Sequence, residues 1–148
     1  MFLQNAVADA LNNTEWAFPL AECFHIVGFA VSIGSVAVLD LRLLGLGLRH
    51  EKPAQLVKYT EPWTLIALVF VIFSGAALFV SQSDIYLANK VFPWKMVLLV
   101  VAILYNFTVH RKVAMSAGPS TPLTKVVALL SLALWVGIVF GGIFIAFV

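Results

Sequence analysis

Four long apolar runs divide this chain, and clusters of polar or helix-breaking residues separate them. The first covers about residues 18–48 and is interrupted by Glu22, His25, Asp40 and Arg42. The second, about 62–83, has no charge, and the third, about 91–111, carries Lys95 near its start. The fourth, about 124–147, is uncharged beyond Lys125. A helix needs about 20 apolar residues to cross a hydrocarbon core about 30 Å thick, at about 1.5 Å per residue. Backbone polar groups in lipid must be satisfied within the segment, so runs of this length are helices and not strands. The pattern predicts an all-α integral membrane four-helix bundle in a single transmembrane domain. Breakers mark the connections at Glu51-Lys52-Pro53, at Ser81 to Asn89, and at Gly118-Pro119-Ser120-Thr121-Pro122. A weaker periodicity over Phe2 to Leu11 predicts a short surface helix.

Composition supports lipid as the solvent. Of the 148 residues 62% are hydrophobic and 11% charged, with mean hydropathy +1.03, whereas a soluble domain carries roughly a quarter charged residues. A net charge of +2 is too small to point to nucleic acid. The single cysteine, Cys23, excludes an internal disulfide or a multi-thiolate metal site. The residues before the first apolar run hold Asp9 and Glu15 and no Lys or Arg, unlike a cleavable signal peptide, so that run is read as part of the mature protein. Lys and Arg are retained on the cytoplasmic side. Arg49, Lys52, Lys58, Arg111, Lys112 and Lys125 flank one end of the bundle, against Lys90 and Lys95 at the other, a ratio of six to two. Both termini are therefore expected outside the cytoplasm. Trp16, Trp63 and Trp94 fall near span ends, where amphipathic rings suit the headgroup region. Small residues offer close packing in two places: Gly28, Ser32 and Ser35 on the first span, and Gly137 with Gly141 on the fourth. The second pair suits either bundle packing or a homo-oligomer interface.

Ionisable groups at membrane depth are costly and usually face the bundle interior. Measured from mid-span, His25 lies ~12 Å and Lys95 ~10 Å toward the outer side, while Asp40 and Arg42 lie ~10 to 14 Å, and Asn106 and His110 ~6 to 12 Å, toward the basic side. Two polar layers result. In the outer one, Glu22 and His25 are three residues apart and share a helix face, with Lys95 on a parallel span. Neutral imidazole is a common metal ligand and a usual axial ligand of haem iron. A buried lysine becomes a ligand once it loses its proton, although it can equally snorkel to the headgroups. In the inner layer Asp40 and Arg42 point to different sides of their helix, which suits anchoring: Arg42 to phosphates, and Asp40 to Arg111, Lys112 or His110. A proton path or a second cofactor level through Asn106 and His110 is the alternative. No phosphate-binding glycine loop, Gly-x-Ser-x-Gly elbow or His-Glu-x-x-His motif occurs, and the few methionines argue against a copper(I) carrier.

The run Pro19-Leu-Ala-Glu22-Cys-Phe-His25-Ile-Val-Gly28, followed by Leu39-Asp40-Leu-Arg42-Leu-Leu-Gly45, resembles the first-helix signature of an uncharacterised bacterial four-helix inner-membrane family. The layout is also distantly similar to HemJ-type protoporphyrinogen oxidases and to the membrane domain of CopD-type copper-resistance proteins. In HemJ-like proteins a first-helix His, an Arg farther along that helix and a Lys opening the third helix recur, and His25, Arg42 and Lys95 match these positions. That resemblance implies b-type haem held by His25 and Lys95. The sequence departs from it at Phe92-Pro93-Trp94, where HemJ-like chains carry a further His before the Lys.

These readings converge on a haem-b-binding redox protein of the bacterial inner membrane, a candidate oxidoreductase, with a quinone, a porphyrin or a protein as its electron partner. His25 is the expected axial ligand and Lys95 the second ligand or a propionate partner. Glu22 is expected to orient the imidazole, Trp63, Trp94 and Tyr86 to wall the pocket, and Arg42 and His110 to serve the inner level. A different class is a small transporter or an accessory subunit of a larger complex, without a cofactor. A third is metal transport through Glu22, His25 and Asp40.

Overall fold

The computed structural model describes residues 2–145 and 147, with side chains from Ala6 onward. Its elements are α1 (Phe2–Asn12), α2 (Ala17–Leu44), α3 (Pro53–Ser81), α4 (Ser83–Ala88), α5 (Val91–Tyr105), a π turn (Asn106–His110), α6 (Arg111–Ser116) and α7 (Pro122–Ile145). No strand occurs among the described residues. The segment α5, π turn and α6 is one continuous span, Val91–Ser116, and with α2, α3 and α7 it makes four helices long and apolar enough to cross a membrane. The chain is thus an all-helical, multi-pass membrane bundle, and α1 is the short helix expected before the first span.

Two boundaries differ from the sequence expectation. The first span ends at Leu44 and not at Leu48, because Gly45 takes φ 78° and turns the chain, its N–H donating to the Arg42 carbonyl at 3.1 Å. The second begins at Pro53 and passes straight through Pro62. Proline inside a helix removes one backbone donor, and nearby threonines add hydrogen bonds of their own. Thr60 Oγ1 donates to Leu56 O at 2.9 Å, and Thr64 Oγ1 to Thr60 O at 3.0 Å.

Around the bundle, α2 packs along α3 and against α7, and α5 packs on α7. The Val91–Ser116 span meets α3 chiefly through α6, so α2 and α5 stand diagonally and hardly touch. The interior face of α2 carries Ser32, Val36, Leu39, Asp40 and Leu43 at helical spacing. Val36, Leu68, Ala102, Trp135 and Ile138 form a dry middle layer, and Leu39, Leu43, Leu56, Val57, Ala114 and Ala128 a second layer toward the basic end. Lipid tails are as apolar as these side chains, so close van der Waals packing holds the layers together. Gly137 and Gly141 face α5 of the same chain: a Cβ would lie 3.8 Å from Leu98 and 3.5 Å from Lys95, respectively.

Candidate functional site

The polar residues of α2 meet the rest of the bundle at two separate levels. At the N-terminal end, His25 is half-buried against α3, its Nδ1 2.9 Å from Ser74 Oγ. Gly75 makes room for the ring, since a Cβ there would come within 2.9 Å of His25 Cε1. Ser74 has one hydroxyl proton, and it donates that proton to the Phe70 carbonyl at 2.7 Å. With that proton on Phe70, Oγ can accept from His25 Nδ1–H, the tautomer that leaves Nε2 its lone pair. The ring of Phe29 stacks parallel to the imidazole at 6.4 Å, and Trp135, 1% exposed, meets Phe29 edge-on at 6.1 Å.

Lys95 is half-buried on α5, its stem against Gly141 and its ammonium against Gly142, where a Cβ would stand 3.2 Å from Nζ. The ion pairs among the described residues are Asp40–His110 and Glu61–Arg111, so Lys95 has no carboxylate within ion-pair distance. Glu22 is exposed and makes no contact that orients His25. Its neighbour is Tyr86 on α4, whose phenol is pushed above its ordinary pKa by burial and, secondarily, by the Glu22 carboxylate. Tyr86 packs with Phe79 and Phe92 in an aromatic cluster with ring separations of 5.4 to 6.2 Å, which bridges the ends of α3 and α5. Trp63 and Trp94 are 62% and 72% exposed, facing lipid and walling no pocket.

At the basic end the polar groups of α2 are buried and paired. Asp40 is fully buried; His110 Nε2 lies 2.5 Å from its Oδ1, and Ser131 Oγ donates to its Oδ2 at 2.8 Å. Three spans converge on this one carboxylate. His110 closes the π turn, a widened helical turn that recurs at functional positions. Arg42 is buried as well and does not extend to phosphates: its Nε donates to the Glu51 carbonyl at 2.6 Å, across the α2–α3 connection. Ser120 and Thr124 donate to the Leu43 carbonyl at 2.8 and 3.2 Å, tying the end of α2 to the start of α7. The five candidates fall into two sets. His25, Lys95 and Glu22 lie at one end; Arg42 and His110 lie at the other, Arg42 about 25 Å of helix from His25. Asp40 stands about 22 Å along α2 from His25, so Glu22, His25 and Asp40 do not come together as a metal site. No group of three potential metal-ligating His, Cys, Asp or Glu side chains occurs among the described residues.

Residues 16–148 match the profile of a family of unknown function, DUF6644. The chain belongs to that family. The DUF6644 match spans all four membrane helices and both polar layers, consistent with the uncharacterised-family signature read in α2, and nothing in it links the chain to HemJ- or CopD-type proteins. No curated protein and no solved structure matches the chain.

Ser74, Gly75, Trp135 and Ser131 were not visible as site residues in the sequence. Each lies on a charge-free span that reads as scaffold. The one signal available was a lone serine at membrane depth on each of those spans, which requires a partner somewhere in the bundle.

Proposed function

We propose that this DUF6644 protein is a haem-b-binding redox protein of the bacterial inner membrane, with the cofactor at the His25 end and His25 as its axial ligand. The observation that carries the reading is the 2.9 Å contact between His25 Nδ1 and Ser74 Oγ. A ligating imidazole characteristically donates its other ring N–H to a fixed acceptor, which sets its orientation and raises its basicity. Ser74 is that acceptor, and Nε2 is left as the ligating atom. Ser74 thus takes the orienting role expected of Glu22.

The donor set suits haem b in two further respects. Lys95 is a cation without a counter-charge, suited to a propionate or, once deprotonated, to the iron. Phe29 and Trp135 supply flat apolar walls. At this end the third span packs on α7 and meets α3 through the Phe79–Tyr86–Phe92 cluster. Bound haem would supply one-electron transfer, with His25 holding it and Lys95 offsetting its charge. The electron partner on this reading is a quinone, a porphyrin or a protein. Arg42 and His110 have no part in this site.

The test is a visible spectrum of the purified protein, before and after hemin is added. A Soret band in the wild type that is absent from His25→Ala supports haem. A preparation that stays colourless with hemin overturns it and favours a cofactor-free transporter or accessory subunit.

A further inference from the structure

The Asp40–His110–Ser131 cluster is a site of its own. An ionisable pair at membrane depth is expensive, and the usual reason for keeping one is function. Here the pair is 0% and 1% exposed and drawn from two spans, with a third supplying Ser131. A structural ion pair has no need of water, yet this one borders a cleft of about 20 Å³, enough for a single water molecule. Thr60, Glu61, Thr64, Asn106, His110 and Arg111 line the cleft. At its mouth Arg111 Nε donates to both carboxylate oxygens of Glu61, at 2.9 and 3.1 Å, and these side chains are 47% and 26% exposed. His110 Nε2 is taken by Asp40, Nδ1 has no hydrogen bond to the protein among the described residues, and His110 lines the cleft.

We propose that Asp40 and His110 form a proton-binding site that loads and unloads through this cleft from the basic end, and that does not conduct across the membrane. A hydronium in the cleft gives its proton to His110 Nδ1, forming one N–H bond and leaving water. The Nε2–H bond then breaks as O–H forms on Asp40 Oδ1, so the carboxylate becomes a neutral acid and the site gains one unit of charge. Ser131 holds Oδ2 throughout, and Glu61, paired with Arg111, hands protons to the cleft. Other charged or titratable groups nearby are Arg42 on α2, turned to the Glu51 carbonyl, and Tyr105 on α5, whose hydroxyl donates to Val127 O at 3.0 Å. α7 contributes only Ser131. Conduction stops beyond Asp40, because Val36, Leu68, Ala102, Trp135 and Ile138 fill the next layer and Ser32 Oγ stands there alone.

The proposal is independent of haem and is tested on the full chain in nanodiscs by pH-difference infrared spectroscopy. A protonated-carboxyl band is expected to appear reversibly as pH falls, to vanish in Asp40→Asn and to survive in Glu61→Gln with at least tenfold slower exchange in deuterated water. Ser131→Ala, a milder change that keeps the fold, tightens proton binding about tenfold, because it removes a hydrogen bond to the charged form. A band that does not titrate, or that persists in Asp40→Asn, overturns the proposal. In proteoliposomes with an entrapped pH dye the wild type is expected to leak no faster than empty vesicles. Acidification that the protein accelerates overturns the one-sided site.

Discussion

At the His25 end an imidazole engages one nitrogen with Ser74, and a lysine at the same end of the bundle has no carboxylate within ion-pair distance. At the Asp40 end the strong groups hold one another: the carboxylate takes His110 and Ser131, Arg42 takes a backbone carbonyl and Arg111 takes Glu61, leaving His110 Nδ1 to the cleft. Both layers sit on the same helix, so propensity and lipid exposure cannot explain the contrast. The neighbours explain it. At the basic end α3 and α7 pack on α2, and the third span reaches it through His110 and Ala114, whereas at the other end the third span leans on α7 and leaves α3. Satisfied polar groups make a rigid, specific join, and unsatisfied ones make a place for something else to bind.

The contrast breaks most severely when Asp40 is removed. Asp40→Ala leaves His110 and Ser131 buried without a partner and is expected to cost about 3–5 kcal/mol, read as a fall in unfolding midpoint in detergent. His25→Ala, which removes one half-buried hydrogen bond, should cost about 1 kcal/mol. If the two variants melt alike, the layers do not differ as described.

Gly75→Ala sharpens the comparison from the other side. In an open helix this change adds up to about 1 kcal/mol of stability, yet here the new methyl meets the His25 ring at 2.9 Å, against the rigid backbone of α3. Overpacking of about 1–3 kcal/mol is expected to win, displacing the imidazole, and hemin binding should fall with it. Gly142→Ala is the control: its methyl meets only the mobile tip of Lys95, so the melting temperature should hold.

Smaller effects distinguish the roles of neighbours. Ser74→Ala is expected to weaken hemin binding 10–100-fold while shifting stability by about 0.6 kcal/mol, the usual worth of a hydrogen bond between membrane helices. Glu22→Ala should change neither by a measurable amount, since Glu22 is exposed and does not touch His25. A larger loss in Glu22→Ala than in Ser74→Ala, by hemin titration, would return the orienting role to Glu22. Arg111→Ala breaks a partly exposed pair worth under about 1 kcal/mol, so a melting curve close to wild type is expected.

The spans were legible because lipid imposes length and hydropathy on each segment independently of its neighbours, and the two polar layers were legible because rise along a helix converts sequence distance to depth. Which helix faces which was not legible. Helical rise placed His25 and Lys95 at one level, but it carried no information on the diagonal arrangement of α2 and α5, which makes Ser74 and not Lys95 the first partner of His25. Asp40 had three expected cationic partners at similar depth, and the π turn, which has no simple sequence mark, presents His110 to it. Pro62 reads as a helix start because proline usually is one; the helix passes through it in lipid, where breaking off would leave more backbone unsatisfied. The uncharged spans concealed Ser74 and Ser131 because a serine carries too little polarity to interrupt a hydropathy plot.

One comparison tests the central claim most directly: visible spectra, with hemin added, of the wild type, His25→Ala and His110→Ala. The account predicts a Soret band in the wild type and in His110→Ala that is missing from His25→Ala. A band that survives in His25→Ala, or that depends on His110 instead, contradicts it.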